Sequence, residues 1–191
     1  MTTTTPSPSS RRPRLRLGGF TLVEVMVSAA LSSFVLAGVL STFLFLGRSG
    51  ANMNNYNDME AQARKALEFF AEDTRQASAV VWTSATSLTL VVNAVNITYA
   101  YDSGSAIFTR ATGGTTTNLL TGITTFSFLA YTITGASITD FSTATARTTA
   151  NSTTKQVQVS LSAARSSSTV TSATNIVLSA RYVLRNKRVT A

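Results

Sequence analysis

The chain has 191 residues, with 16 Lys and Arg against 8 Asp and Glu, and it contains neither cysteine nor histidine. That composition excludes a disulfide scaffold, a zinc site with Cys or His ligands, a cysteine nucleophile and a Ser-His-Asp triad. Charged residues make up 13% and apolar residues 44%, which suits one folded domain with one extra element and leaves few groups for acid–base chemistry.

The charge is concentrated at the start. Arg11, Arg12, Arg14 and Arg16 stand in a segment without an acid and supply half of the formal +8. The rest of the chain is only mildly basic, which weakens a nucleic-acid reading of the bulk charge.

An apolar run follows. Between Phe20 and Leu46 the one charged residue is Glu24, in a stretch of 27 residues. As a helix this stretch is about 40 Å long, enough to cross a bilayer core of about 30 Å. Arginines on its N-terminal side predict that this end stays cytoplasmic. The run is longer than the core of a secretory signal, and its small residues, Gly18 and Gly19, come before it. The pattern predicts a cut on the cytoplasmic side of the helix, with the helix retained.

A carboxylate near the start of a membrane helix is costly and ordinarily has a partner or a task. Were the chain cut between Gly19 and Phe20, the new α-amine of Phe20 would lie four residues before Glu24, on the same helix face. It can neutralise its own Glu24 or that of a neighbouring molecule. The helix dipole also favours a negative charge in the first turns.

Gly19-Phe20-Thr21-Leu22-Val23-Glu24-Val25, behind a basic leader, resembles the processing and methylation motif of the type IV pilin-like superfamily. That superfamily includes pilins and type II secretion pseudopilins. The resemblance implies removal of residues 1–19 by a prepilin peptidase, N-methylation of Phe20 by the same peptidase/methyltransferase, and use of Glu24 in docking a subunit into a filament.

Past the apolar run, Gly47, Gly50, Asn52, Asn54 and Asn55 allow a bend or brief unwinding. A second helical pattern then begins. Tyr56, Met59, Ala63, Ala66, Leu67, Phe70 and Ala77 recur at helical spacing, and Asp58, Glu60, Arg64, Lys65, Glu68, Glu72 and Arg75 fill much of the rest. The charges read as a wet helix side rather than a binding surface, and the apolar stripe reads as core.

After Ala79 the period changes to two. Strands are expected around Leu88–Val92, Ile97–Tyr101, Ala106–Arg110, Ile123–Tyr131, Gln156–Leu161 and Ile176–Leu184, with turn signals at Asp102-Ser103-Gly104 and Gly113-Gly114. One apolar and one polar face imply a sheet covered on one side by the second helix. Residues 132–154 and 164–174 show neither period and are expected as long loops, the first with room for an edge strand. Trp82 reads as a packing anchor at the junction of helix and strands. Asp102 and Asp140 read as turn residues, not as a carboxylate pair or a calcium site.

The expected fold is α+β. A long N-terminal helix, transmembrane over residues 20–46 and amphipathic over 47–79, packs on a β-rich C-terminal domain over 80–191. The order of segments in that domain resembles J-type minor pseudopilins and W-type minor pilins, whereas the disulfide loop of many major pilins has no counterpart here. The resemblance implies a non-enzymatic structural subunit of a type II secretion pseudopilus or type IV pilus, without cofactor or metal. Its partners would be other pilin or pseudopilin subunits, the prepilin peptidase and the inner membrane, with the C-terminal domain periplasmic before extrusion. Two rivals stand beside it: a minor pilin binding DNA or a surface, and a membrane-anchored periplasmic binding protein that never polymerises. Arg181, Arg185, Lys187 and Arg188 form a C-terminal basic cluster, read either as a solubilising end or as a patch for an anionic partner, with nucleic acid ranked below other subunits.

Overall fold

The computed structural model describes residues 18–167 and 170–189. The four leader arginines, Arg11, Arg12, Arg14 and Arg16, lie outside the described residues. The chain divides into two compact units at Phe45/Leu46.

Helix α1 (Leu22–Gln76) runs for 55 residues and belongs to both units. It does not unwind at Gly47 or Gly50, or at Asn52, Asn54 and Asn55, all of which are helical. Each such residue costs a helix at most about 1 kcal/mol, and extending a formed helix is far easier than nucleating a second one. In the first unit, α1 is exposed at every residue. In the second, one stripe is buried: Met59, Ala63, Ala66 and Phe70. Their spacing of four, three and four residues keeps them on one face. The two alanines lie between larger side chains on that face.

The β-rich part contains two antiparallel sheets where one was expected. The first is a meander of β1 (Ala79–Ser84), β2 (Ser87–Val92), β3 (Val95–Asp102), β4 (Ile107–Thr112) and β5 (Thr115–Thr121), in that spatial order. The second contains β6 (Ile123–Tyr131), β7 (Ser137–Ile138), β8 (Gln156–Ser167) and β9 (Val170–Val183), in the order β7-β6-β8-β9. Backbone bonds join the sheets where Phe128 N–H donates to Ala85 C=O (2.9 Å) and Ile123 N–H to Ala106 C=O (3.1 Å).

Three differences from the sequence reading have local causes. Strand β5 has adjacent buried residues, Leu119 and Leu120, which break the period of two. The ladder pairs Phe108 with Leu120 and Thr109 with Asn118, so Leu119 is the extra residue of a bulge, and both leucines face inward. The tract 132–154 contains the short edge strand β7 and helix α2 (Ala144–Thr153), which opens on Thr143: its hydroxyl accepts from Ala146 N–H at 3.1 Å. The expected loop over 164–174 is largely strand. Ala164 pairs with Asn175, Arg165 with Thr174 and Ser167 with Val170, because ladder bonds need no apolar alternation.

Phe70 is fully buried and sits where the layers meet. Its ring contacts Tyr99 of the first sheet edge-on at 5.0 Å, and Phe128 and Tyr182 of the second at 5.6 Å each. Such aromatic pairs add about 0.5–1.5 kcal/mol each beyond area burial. Phe70→Ala is therefore expected to cost about 3–5 kcal/mol. Chemical denaturation of the full chain in detergent, followed by the fluorescence of Trp82, measures it.

Candidate processing and assembly site

Gly18, Gly19 and Phe20 have no regular structure and are exposed, Phe20 to 87%, and nothing lies within 4 Å of where a Cβ would stand on either glycine. Uncovered backbone without regular structure is where proteolysis concentrates.

Thr21 is the N-cap. Its N–H and its hydroxyl both donate to Glu24 Oε2, each at 2.8 Å, and its Oγ1 accepts from Glu24 N–H at 3.3 Å. This is a capping box, in which residues one and four of the helix start satisfy each other's orphan donors. Sequence reasoning singled out Glu24 and missed Thr21. The signal was present as Thr-x-x-Glu directly before an apolar run. Phe20 precedes the cap and lies outside the helix, and its nitrogen is a peptide nitrogen in the uncut chain. In this form the Glu24 carboxylate is satisfied by Thr21.

Beyond the cap, α1 is apolar and uncovered. Phe34 is 83% exposed, and no residue of its most apolar 18-residue window is buried. The helix is long and apolar enough to cross a membrane, which makes a single-pass anchor compatible with the fold.

Residues 16–40 match the prokaryotic N-terminal methylation motif. The chain carries the prepilin signature of the type IV pilin-like superfamily. Among curated proteins, none matches the chain. The signature implies processing by a prepilin peptidase and assembly with other pilin subunits, and the family that bears it is structural.

No three Asp, Glu, Cys or His side chains converge among the described residues. Asp102 accepts from Gly104 N–H (3.0 Å) and Ser105 Oγ (2.6 Å), and Asp140 from Ser142 N–H (2.9 Å) and Oγ (2.7 Å). Both are turn carboxylates whose pKa is lowered, chiefly by the Ser105 hydroxyl for Asp102 and by the Ser142 N–H for Asp140. Trp82 is buried, stacks on Phe141 at 4.4 Å and donates its indole N–H to Thr154 Oγ1 at 3.1 Å, an anchor rather than a platform. On the helix, Glu60 and Arg64 form the expected i,i+4 pair at 2.6 Å.

The C-terminal basic residues have different surroundings. Arg181 lies over the Tyr131 ring at 3.5 Å and donates Nε and Nη2 to Gln158 Oε1. Lys187 is buried and donates to the carbonyls of Ser152 (2.9 Å) and Thr154 (2.8 Å), at the C-terminal end of α2 where the dipole favours a cation. Lys155 Nζ in turn donates to Lys187 C=O. Arg185 and Arg188 are exposed, and among the described residues neither has such a contact.

A buried polar group escaped the sequence reading altogether. Asp73 of α1 accepts from Tyr99 Oη (2.5 Å) and from Arg110 Nε (2.8 Å) and Nη2 (3.3 Å). Arg110 also lies over Phe69, at 5.4 Å from its centroid. The partners are 26 and 37 residues from Asp73, so no local pattern announces them. The group ties α1 to β3 and β4. Burial, and then the bond to Asp73, push the Tyr99 phenol far above its ordinary range.

The folded state therefore keeps a proton that the unfolded chain releases near pH 10. Stability is full below about pH 10 and falls as the pH rises above it. Tyr182, raised by burial, acts in the same direction, and Lys187, lowered by burial, acts in the opposite one. Tyr99→Phe is expected to cost about 1.5–3 kcal/mol at neutral pH and to shrink the alkaline loss. The difference between the two proteins' denaturation midpoints from pH 7 to 11 measures both effects.

Proposed function

We propose that this protein is a filament subunit, a minor pseudopilin or minor pilin, anchored in the bacterial inner membrane until it is extruded. The observation that carries the reading is the match over residues 16–40 on an exposed Gly19–Phe20 bond, followed by an uncovered apolar helix with one carboxylate. The arginines hold the N-terminus in the cytoplasm, and the C-terminal unit folds in the periplasm. The peptidase cuts after Gly19, and Phe20 becomes the methylated N-terminus.

Assembly moves the apolar helix from lipid into a bundle of like helices. There a carboxylate without a counter-charge opposes packing, and one facing an α-amine does not. Pairing of Glu24 with a Phe20 amine thus selects the axial step between subunits. The capping box keeps the carboxylate satisfied by its own chain until that partner arrives. The absence of a cysteine pair favours a minor pilin or pseudopilin over a major pilin with a disulfide loop.

Two measurements test the reading. Intact-mass spectrometry of protein co-expressed with a prepilin peptidase is expected to show a chain beginning at Phe20, with an added methyl group. A chain that keeps Gly19 would leave a plain membrane anchor. Glu24→Ala is expected to leave membrane insertion unchanged and to abolish recovery in sheared filaments, and unchanged recovery would remove Glu24 from the mechanism.

A further inference from the structure

Strand β9 forms one edge of the second sheet, and its outer side is open. Leu184 N–H donates to Lys155 C=O at 2.9 Å, which sets the phase of the β8–β9 ladder. Counting back by twos, Tyr182, Ala180, Leu178 and Ile176 bond to β8, and their side chains pack toward the core. Asn175, Val177, Ser179, Arg181 and Val183 alternate with them. Their N–H and C=O groups point away from the sheet, and their side chains are exposed on its outer face, Val177 to 76%. Among the described residues, nothing bonds to those five pairs of backbone groups.

The other edges are managed. The N–H of Trp82 on β1 donates to Asn151 Oδ1 of α2 at 2.6 Å, β5 is bulged, and β7 has two residues. Strand β9 spans 14 residues, has no Pro, Gly or Lys, and keeps an unbroken register from Asn175 to Val183. An open edge of this kind is a template for another strand.

The charges say what kind of strand. No residue of β6, β7, β8 or β9 is acidic, whereas Arg181 is on the edge and exposed Arg185 and Arg188 follow it. The chain has no acidic strand of its own to offer. Its acids are Glu24, the α1 group Asp58, Glu60, Glu68, Glu72 and Asp73, and the turn residues Asp102, at the end of β3, and Asp140. Two β9 strands pairing with each other would add positive charge to positive charge.

We infer that the outer edge of β9 is a docking site for an extended, acidic segment of a different protein, added as a fifth strand to the second sheet. Backbone bonds to the five outward residues supply the affinity, and Arg185 and Arg188, exposed just beyond the strand, select acidic side chains. This inference concerns only the C-terminal unit and stands apart from the assembly reading.

The test uses the full chain in detergent and a synthetic peptide of about ten residues in which Glu alternates with Val and Thr, with a Lys-for-Glu peptide as control. Saturable binding of the Glu peptide is expected, about tenfold or more tighter than the Lys peptide and weakened by salt. Ser179→Pro removes an outward N–H without touching the β8 ladder and is expected to weaken binding about tenfold or more. The double variant Arg185→Glu, Arg188→Glu is expected to weaken it likewise. In the unaltered protein, bound peptide should slow amide exchange at Val177, Ser179 and Arg181 more than at Leu178 and Ala180, a readout that holds even if a variant fails to fold. Absence of saturable binding, equal binding of the two peptides, unchanged binding by folded Ser179→Pro, no alternating exchange pattern, or a β9-mediated dimer without peptide would each overturn the inference.

Discussion

The C-terminal unit depends on one stripe of α1. Its two sheets meet through few backbone bonds, and the helix face centred on Phe70 gives them a common surface. Tyr99 approaches that ring from the first sheet, and Phe128 and Tyr182 from the second. Asp73 lies one turn further on, so the same helix face that supplies the apolar contact also supplies the charge that holds Tyr99 and Arg110. Packing and pairing thereby reinforce one register between helix and sheet.

The same helix answers to a different environment at its other end. In the first unit, α1 carries apolar side chains all round, which suits lipid or like helices and not water. Its one charged residue in that unit stands at its start, and there Thr21 and Glu24 close on each other. A carboxylate that accepts hydrogen bonds within its own chain costs less at an apolar helix start than a bare one. A carboxylate that can exchange that partner for an amine is compatible with assembly. The prepilin signature and the capping box fall on the same residues, and helix initiation and the proposed subunit docking make demands on one side chain.

Much of this was legible residue by residue. The apolar run, its lone Glu24 and the Gly-Phe junction are local features, and so is the spacing of Met59, Ala63, Ala66 and Phe70. Thr-x-x-Glu was equally local and was overlooked beside the stronger charge signal. Other elements were hidden for physical reasons. The bulge at Leu119 destroys the alternation by which β5 would be recognised. Helix α2 has an N-cap but little apolar character, and it is held by contacts with β1, including Asn151 to the Trp82 N–H.

By itself, the sequence determined what depends on near neighbours: the membrane-length helix, the Gly-Phe junction with its nearby carboxylate, the amphipathic second half, and the alternating strands. Those features follow from side-chain type at fixed spacing along the backbone. Only the tertiary structure decided the division into two sheets, the commitment of Asp73 to Tyr99 and Arg110, the burial of Lys187 against α2, and the open edge of β9. Each of these is a pairing between residues far apart in the chain. Spacing carries no information about which distant donor meets which acceptor, because that is settled when the sheets close on the helix.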